Sequence, residues 1–139
     1  MDAMASVRTG TVRDWMSRNL VVVTPERSVE HVFRLMRASE IRHILVMDGE
    51  RLAGIVSNRD LRRPLVGGAP SLSPGSPVGR VMTESPTTVS PDTPLAVAAR
   101  ELLDRKIGAL PVVEGDRPIG ILTKSDALEG LLACVERPR

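Results

Sequence analysis

Two seven-residue runs carry residue types able to do chemistry: Gly54-Ile55-Val56-Ser57-Asn58-Arg59-Asp60 and Gly120-Ile121-Leu122-Thr123-Lys124-Ser125-Asp126. In each, an apolar stretch ends at a hydroxyl residue and a carboxylate follows three positions later. A carboxylate can accept both hydroxyls of a cis-diol, at roughly 1.5–3 kcal/mol for each charge-assisted bond. A hydroxyl and free backbone amides at a helix start suit a phosphate. The same spacing fits a capping box, in which Ser57 or Thr123 caps a helix and Asp60 or Asp126 answers from the third helical position. Both readings stand on the residues alone. They are compatible, because one hydroxyl can cap while the carboxylate still faces outward. Gly54 and Gly120 have their own bland reading, a close backbone approach within a sheet.

Other chemistries find little support. The two histidines, His31 and His43, and the single Cys134 show no His-x-x-x-His or Cys-x-x-Cys spacing, so no dedicated transition-metal site is expected. Nothing matches Gly-x-Ser-x-Gly, a Walker loop or Gly-x-Gly-x-x-Gly, so no enzyme is expected. Arg59, Arg62 and Arg63 form a basic cluster, read first as a solvated helix face and second as a phosphate or partner contact.

The 139 residues are 42% hydrophobic and 26% charged, an ordinary composition for one globular unit, which excludes disorder, collagen and coiled coil. Nineteen Lys+Arg face seventeen Asp+Glu, so the net charge of +2 gives nucleic-acid binding little support. Trp15 and Phe33 are the whole aromatic content, too few for base-stacking platforms. One cysteine excludes an intrachain disulfide framework, and no leader or long apolar run is evident, so a cytoplasmic protein away from membranes is expected.

The elements that must position the two motifs come from a repeat. Sliding the chain by 66, from Met16 to Met82, aligns two blocks without a gap, with about a quarter of some 50 positions identical. Val12-Arg13-Asp14-Trp15-Met16 lies over Val78-Gly79-Arg80-Val81-Met82, Val23-Thr24-Pro25 over Val89-Ser90-Pro91, and Gly49 over Gly115. The blocks read as repeat 1 over 12–63 and repeat 2 over 78–135. They are joined by a Gly/Pro/Ser linker over 64–77 and flanked by an extension over 1–11 and a tail over 136–139.

Each block begins with a helical turn at Trp15 or Met82 and a short strand at Val21–Val23 or Thr87–Val89. A helix follows with Val29, Val32, Phe33 and Met36, or Leu95, Ala98, Ala99, Leu102 and Leu103, at helical spacing. Thr93-Pro94 reads as a cap and first-turn proline for the second of these. Ile44–Met47 with Leu52–Val56, and Leu110–Val113 with Pro118–Leu122, read as hairpins around an acid-Gly turn. Closing helices start near Asn58 and Lys124. The expected class is therefore α+β: two units, each a three-stranded sheet with helices on one face, packed about a pseudo-twofold axis with clefts between them.

With that order, the repeat and the two Gly-to-Asp motifs, the chain resembles a tandem pair of CBS domains, the Bateman module, from about Val12 to Val135. The Ser/Thr-Pro step before the first helix and Leu110-Pro111-Val112-Val113 carry the resemblance further. It implies a regulatory module that binds AMP, ADP, ATP or another adenosyl ligand, with Mg²⁺ arriving alongside ATP. The ribose would lie on Asp126, Thr123 and Ser125 and on Asp60 and Ser57. Phosphates would meet Arg42, His43, Arg59 and Lys124, and adenine would sit by Val23, Ile44, Val89 and Leu110. The resemblance also implies a homodimer and a separate effector protein.

Two departures stand in the first block: Leu45 where the second has Pro111, and Arg59 where the second has Ser125. The second motif is therefore expected to be the better ligand site. The competing expectation is a non-catalytic dimeric interaction module with degenerate ligand clefts.

Overall fold

A computed structural model describes residues 10–65 and 72–136. Most of the expected extension, the middle of the linker, the final tail residues and the Arg63 side chain lie outside the described residues. In chain order the elements are α1 (Val12–Trp15), β1 (Val22–Val23), α2 (Val29–Ser39), β2 (His43–Asp48), β3 (Arg51–Ser57) and α3 (Asn58–Leu65). A 3-10 turn (Val78–Arg80), β4 (Thr83–Glu84), α4 (Leu95–Arg105), β5 (Ala109–Glu114), β6 (Arg117–Thr123) and α5 (Lys124–Glu136) complete the series. The expected α+β class is present, and the order of strand, helix, hairpin and helix is complete in the first repeat; in the second, the strand expected at Thr87–Val89 is reduced to a single bridge at Val89.

The chain divides into two compact units cut differently from the repeats. One is continuous, Leu20–Pro86; the other is split, made of the chain before Leu20 together with the chain from Thr87 onward. The leading segment of each repeat thus belongs to the unit that holds the other repeat's sheet.

In the continuous unit the sheet runs β1-β2-β3-β4, with β1 parallel to β2 and the other neighbours antiparallel. It therefore gains an edge strand beyond the three expected, supplied by Thr83–Glu84 against Gly54 and Ile55. Val29, Val32 and Met36 of α2 pack with Ile44, Val46, Val56 and Leu61 to form the core, the outcome of the helical spacing read in the sequence. Ser28 caps α2, its Oγ accepting the His31 N–H at 3.0 Å. The stretch read as linker satisfies two more first-turn amides: Val29 N–H donates to the Ser76 carbonyl at 2.8 Å and Glu30 N–H to that of Pro74 at 2.9 Å. At the other end of the linker, Pro64 and Leu65 close α3, where a terminal proline forfeits only one N–H.

The split unit repeats three of this plan's backbone bonds. Leu95 N–H donates to the Gly10 carbonyl at 3.0 Å, as Val29 does to Ser76. Val12 and Arg13 donate to Thr93 and Pro91, as Val78 and Gly79 donate to Arg27 and Pro25. Its core joins Val12, Leu95, Ala98, Leu102, Leu110, Val112 and Leu122.

Its sheet is narrower: β5 and β6 pair fully, while the outer positions shrink to single bridges, Val89 to Val112 and Ser17 to Ile121. Pro111 explains the first reduction. Its counterpart Leu45 pairs with Val22, whereas a proline has no N–H for a neighbouring strand, leaving Val89 to donate to the Pro111 carbonyl at 3.0 Å.

Two local expectations need correction. Thr93 does not cap α4: the N-cap is Pro94, without a side-chain bond, because Pro94 itself stands in extended backbone at φ −57° and ψ 139° rather than inside the first turn. Leu103 is 65% exposed, since the core stripe of α4 is already filled by Leu95, Ala98 and Leu102.

Candidate functional site

Both Gly-to-Asp motifs sit at a junction of β-strand and α-helix. β3 ends at Ser57 and α3 starts at Asn58; β6 ends at Thr123 and α5 starts at Lys124. Each junction is closed by the same pair of bonds. Ser57 N–H donates to Asp60 Oδ2 at 2.9 Å while Asp60 N–H donates to Ser57 Oγ at 3.1 Å. Thr123 N–H donates to Asp126 Oδ2 at 2.9 Å and Asp126 N–H to Thr123 Oγ1 at 3.1 Å. These are reciprocal capping boxes. They engage one oxygen of each carboxylate and one lone pair of each hydroxyl oxygen.

What remains can still bind a diol. Among the described residues, Oδ1 of Asp60 and of Asp126 takes part in no hydrogen bond or ion pair, and the hydroxyl protons of Ser57 and Thr123 are not donated. All four side chains are half-buried. The box orients the carboxylate and hydroxyl, so the free oxygen and free proton stand ready without further ordering cost.

The preceding strand brings further groups to the same place. His43 pairs with Ser57 in the antiparallel register, and the Arg42 carbonyl accepts the Asn58 N–H at 2.8 Å. Burial holds the His43 imidazole below its ordinary value of 6.5; the Asp60 charge acts against that shift and the Arg42 charge reinforces it. Arg42, His43, Ser57 and Asp60 thus share one corner of the continuous unit, with Arg59 exposed in the first turn of α3. In the split unit the Gly108 carbonyl accepts the Lys124 N–H at 3.0 Å, and Thr123, Lys124, Ser125 and Asp126 gather there, Lys124 and Ser125 exposed.

The four residues proposed beside adenine are placed differently. Ile44 and Leu110 are wholly inaccessible and Val23 nearly so, each within a core, while Val89 is half-buried beside the split unit's core. Val89 also lines a shallow cleft between Thr88–Asp92 and the Val113–Gly115 turn. That cleft contains none of the motif residues, and its mouth shape alone carries no chemistry.

Arg13, which the sequence reading did not single out, reaches Asp92 at 3.2 Å and Glu114 at 3.7 Å. The shift of 66 contained the signal, because Arg13 is the cation between two acids where the other repeat has Gly79 between Glu26 and Asp48. Its partners are exposed, so each bond is worth about 0–1 kcal/mol and pins α1 rather than binding a ligand. Among the described residues no cluster of three or more His, Cys, Asp or Glu could hold a metal, and no helix is long and apolar enough to cross a membrane.

Two copies of one α+β unit, each ending in a boxed hydroxyl and carboxylate at a strand–helix junction, define a duplicated module. The chain belongs to the CBS domain family, whose model matches residues 12–67 and 78–133. Among solved structures it is similar to CBSX2 of Arabidopsis thaliana in complex with AMP, at 34% identity and a TM-score of 0.75, covering 91% of this chain and 98% of that one. It is also similar to a conserved protein of Pyrococcus horikoshii, at 28% identity and a TM-score of 0.79, covering 95% and 96%. An A-adding tRNA nucleotidyltransferase of Geobacter sulfurreducens is 27% identical over 91% of this chain. The chain spans only 14% of that relative's length and 23% of the next curated one's.

Proposed function

We propose that this chain is a non-catalytic regulatory module whose two boxed motifs bind an adenosyl ligand, AMP, ADP, ATP or a relative, with the ribose on Asp126, Thr123 and Ser125 and on Asp60 and Ser57. The observation that supports it best is the unused carboxylate oxygen and hydroxyl proton left at each junction. The AMP complex of a family member at 34% identity points the same way. Lys124, Arg42, His43 and Arg59 are the phosphate partners, and Mg²⁺ accompanies ATP. Ile44, Val23 and Leu110 serve adenine by holding the strands, their side chains being core, while Val89 is the one with a surface to offer. The module works as a homodimer in the cytoplasm and passes its state to a separate effector protein.

A second reading has its own observation. Both boxes are complete as helix caps, so the motifs can be structural and the chain an interaction module without a ligand.

Thermal-shift series with AMP, ADP, ATP, S-adenosylmethionine, NAD and GTP separate the two. A ligand at 100 times its Kd adds about 2.7 kcal/mol, which raises the midpoint of a protein this size by several degrees. Asp126→Ala and Asp60→Ala weaken the caps and lower the unliganded midpoint on either reading, so the quantity to compare is the ligand-induced shift. A shift selective for adenine ligands and abolished by Asp126→Ala supports the sensor, whereas flat curves throughout favour the interaction module.

A further inference from the structure

The two motifs share one backbone frame and differ in charge. Asn58 N–H donates to the Arg42 carbonyl as Lys124 N–H donates to that of Gly108, and the two boxes match bond for bond. Onto that common frame the shift of 66 places Arg42 over Gly108, His43 over Ala109 and Arg59 over Ser125, with Asn58 over Lys124. The continuous unit therefore has two arginines and an imidazole where the split unit has one lysine and an extra hydroxyl. Arg42 and Arg59 are exposed and form no ion pair among the described residues, unlike Arg34, Arg51 and Arg105, whose acids lie three or four residues away.

Unpaired guanidinium groups next to a diol acceptor suit a ligand whose tail carries several negative charges, since each can take two phosphate oxygens at once. A lone lysine with two hydroxyls suits a tail with one phosphate group, about −2 at pH 7, or none. Resting on the function proposed above, the geometry points to unequal specificity: the Asp60 motif takes an adenosyl ligand with a di- or triphosphate tail, and the Asp126 motif one with a monophosphate or uncharged tail.

Calorimetric titration with AMP and with ATP tests this on the full chain. Asp126→Asn keeps a side-chain oxygen for the Thr123 N–H and isolates the Asp60 motif; Asp60→Asn isolates the other. The isolated Asp60 motif is expected to prefer ATP over AMP. Arg42→Gly with Arg59→Ser, the residues of the other repeat, should then cost ATP about tenfold or more per arginine and AMP, with a single phosphate to lose contacts, about tenfold or less in total. Ser125→Arg, an exposed change that leaves the continuous unit untouched, should raise ATP affinity at the Asp126 motif.

Equal losses for AMP and ATP in the double variant, or ATP binding that follows Asp126 instead of Asp60, would overturn the specificity while leaving adenosyl binding in place. Absence of heat with either ligand in the wild-type chain overturns the binding reading itself, and this inference with it.

Discussion

At the scale of single residues, His43 is the group whose protonation the fold changes most clearly. Burial lowers its pKa, the Asp60 charge opposes that and the Arg42 charge adds to it. The folded chain thus holds fewer protons than the unfolded chain in the window below 6.5. Stability rises with pH wherever the unfolded state binds more protons. The contribution is therefore complete above that window and is lost as pH falls through it toward the folded value. Urea midpoints measured at pH about 7.5 and about 5.5 should show a loss on acidification that shrinks in His43→Ala, the residue the other repeat carries as Ala109. An unchanged loss in the variant would remove His43 as its source. A phosphate bound beside His43 would favour its charged form, so phosphate ligands should also bind the continuous unit more tightly at the lower pH.

At the scale of elements, the paired glycines of β3 and β6 are explained by what lies against them. A Cβ on Gly54 would stand 2.6 Å from Met82 Sδ and 2.7 Å from the Thr83 carbonyl oxygen; one on Gly120 would stand 2.8 Å from the Ser17 carbonyl oxygen and 2.9 Å from Met16 Sδ. The carbonyls belong to the edge segments and cannot rotate aside. Gly54→Ala and Gly120→Ala should each cost about 1–3 kcal/mol in urea denaturation, while Gly75→Ala, with nothing within 4 Å of its added carbon, should cost little. Equal, small losses at all three would mean that the edge segments yield.

These elements also show how far the chain could be read in advance. The starts of α3 and α5 were legible because a β-run gives way to a hydroxyl–carboxylate box, a purely local signal. The hairpin turns were legible too, since Gly49 and Gly115 occupy positive φ at 66° and 63°, where L side chains are strained. Edge strand β4 was not legible: Thr83–Glu84 has no apolar alternation and becomes a strand only because Gly54 lets it approach. The solvent side of Leu103 was equally hidden, because helical spacing names a stripe but not its width. For the site, the corner formed by Arg42, His43, Ser57 and Asp60 required the β2–β3 register, which sequence spacing alone does not supply.

At the scale of the whole molecule, the compact units and the sequence repeats disagree about where the chain should be cut. A peptide spanning Leu20–Pro86 contains a full sheet with both edges, the α2 cap and one core. It should give a dispersed amide NMR spectrum, although a domain of this size buries only about 60% of its unfolded surface and will be marginal. A peptide cut within the linker between the repeats, residues 1–66, lacks Ser76 for the Val29 amide and Thr83 for the β3 edge. It should be poorly dispersed at the same temperature. The reverse ranking would show that repeats, and not compact units, are the folding units.

The split arrangement also orders events in time when the protein is made. Synthesis runs from the N-terminus at about 5–20 residues per second, and the continuous unit has every one of its strands once Pro86 is free of the ribosome. The segment that carries Val12 and Met16 was made earlier, yet the Thr93 and Pro91 carbonyls and the β6 edge that receive it come later in the chain. For that interval a short apolar stretch waits unpartnered. Slowing translation after Pro86 should lengthen its exposure to chaperones and proteases, whereas slowing before Leu20 should not.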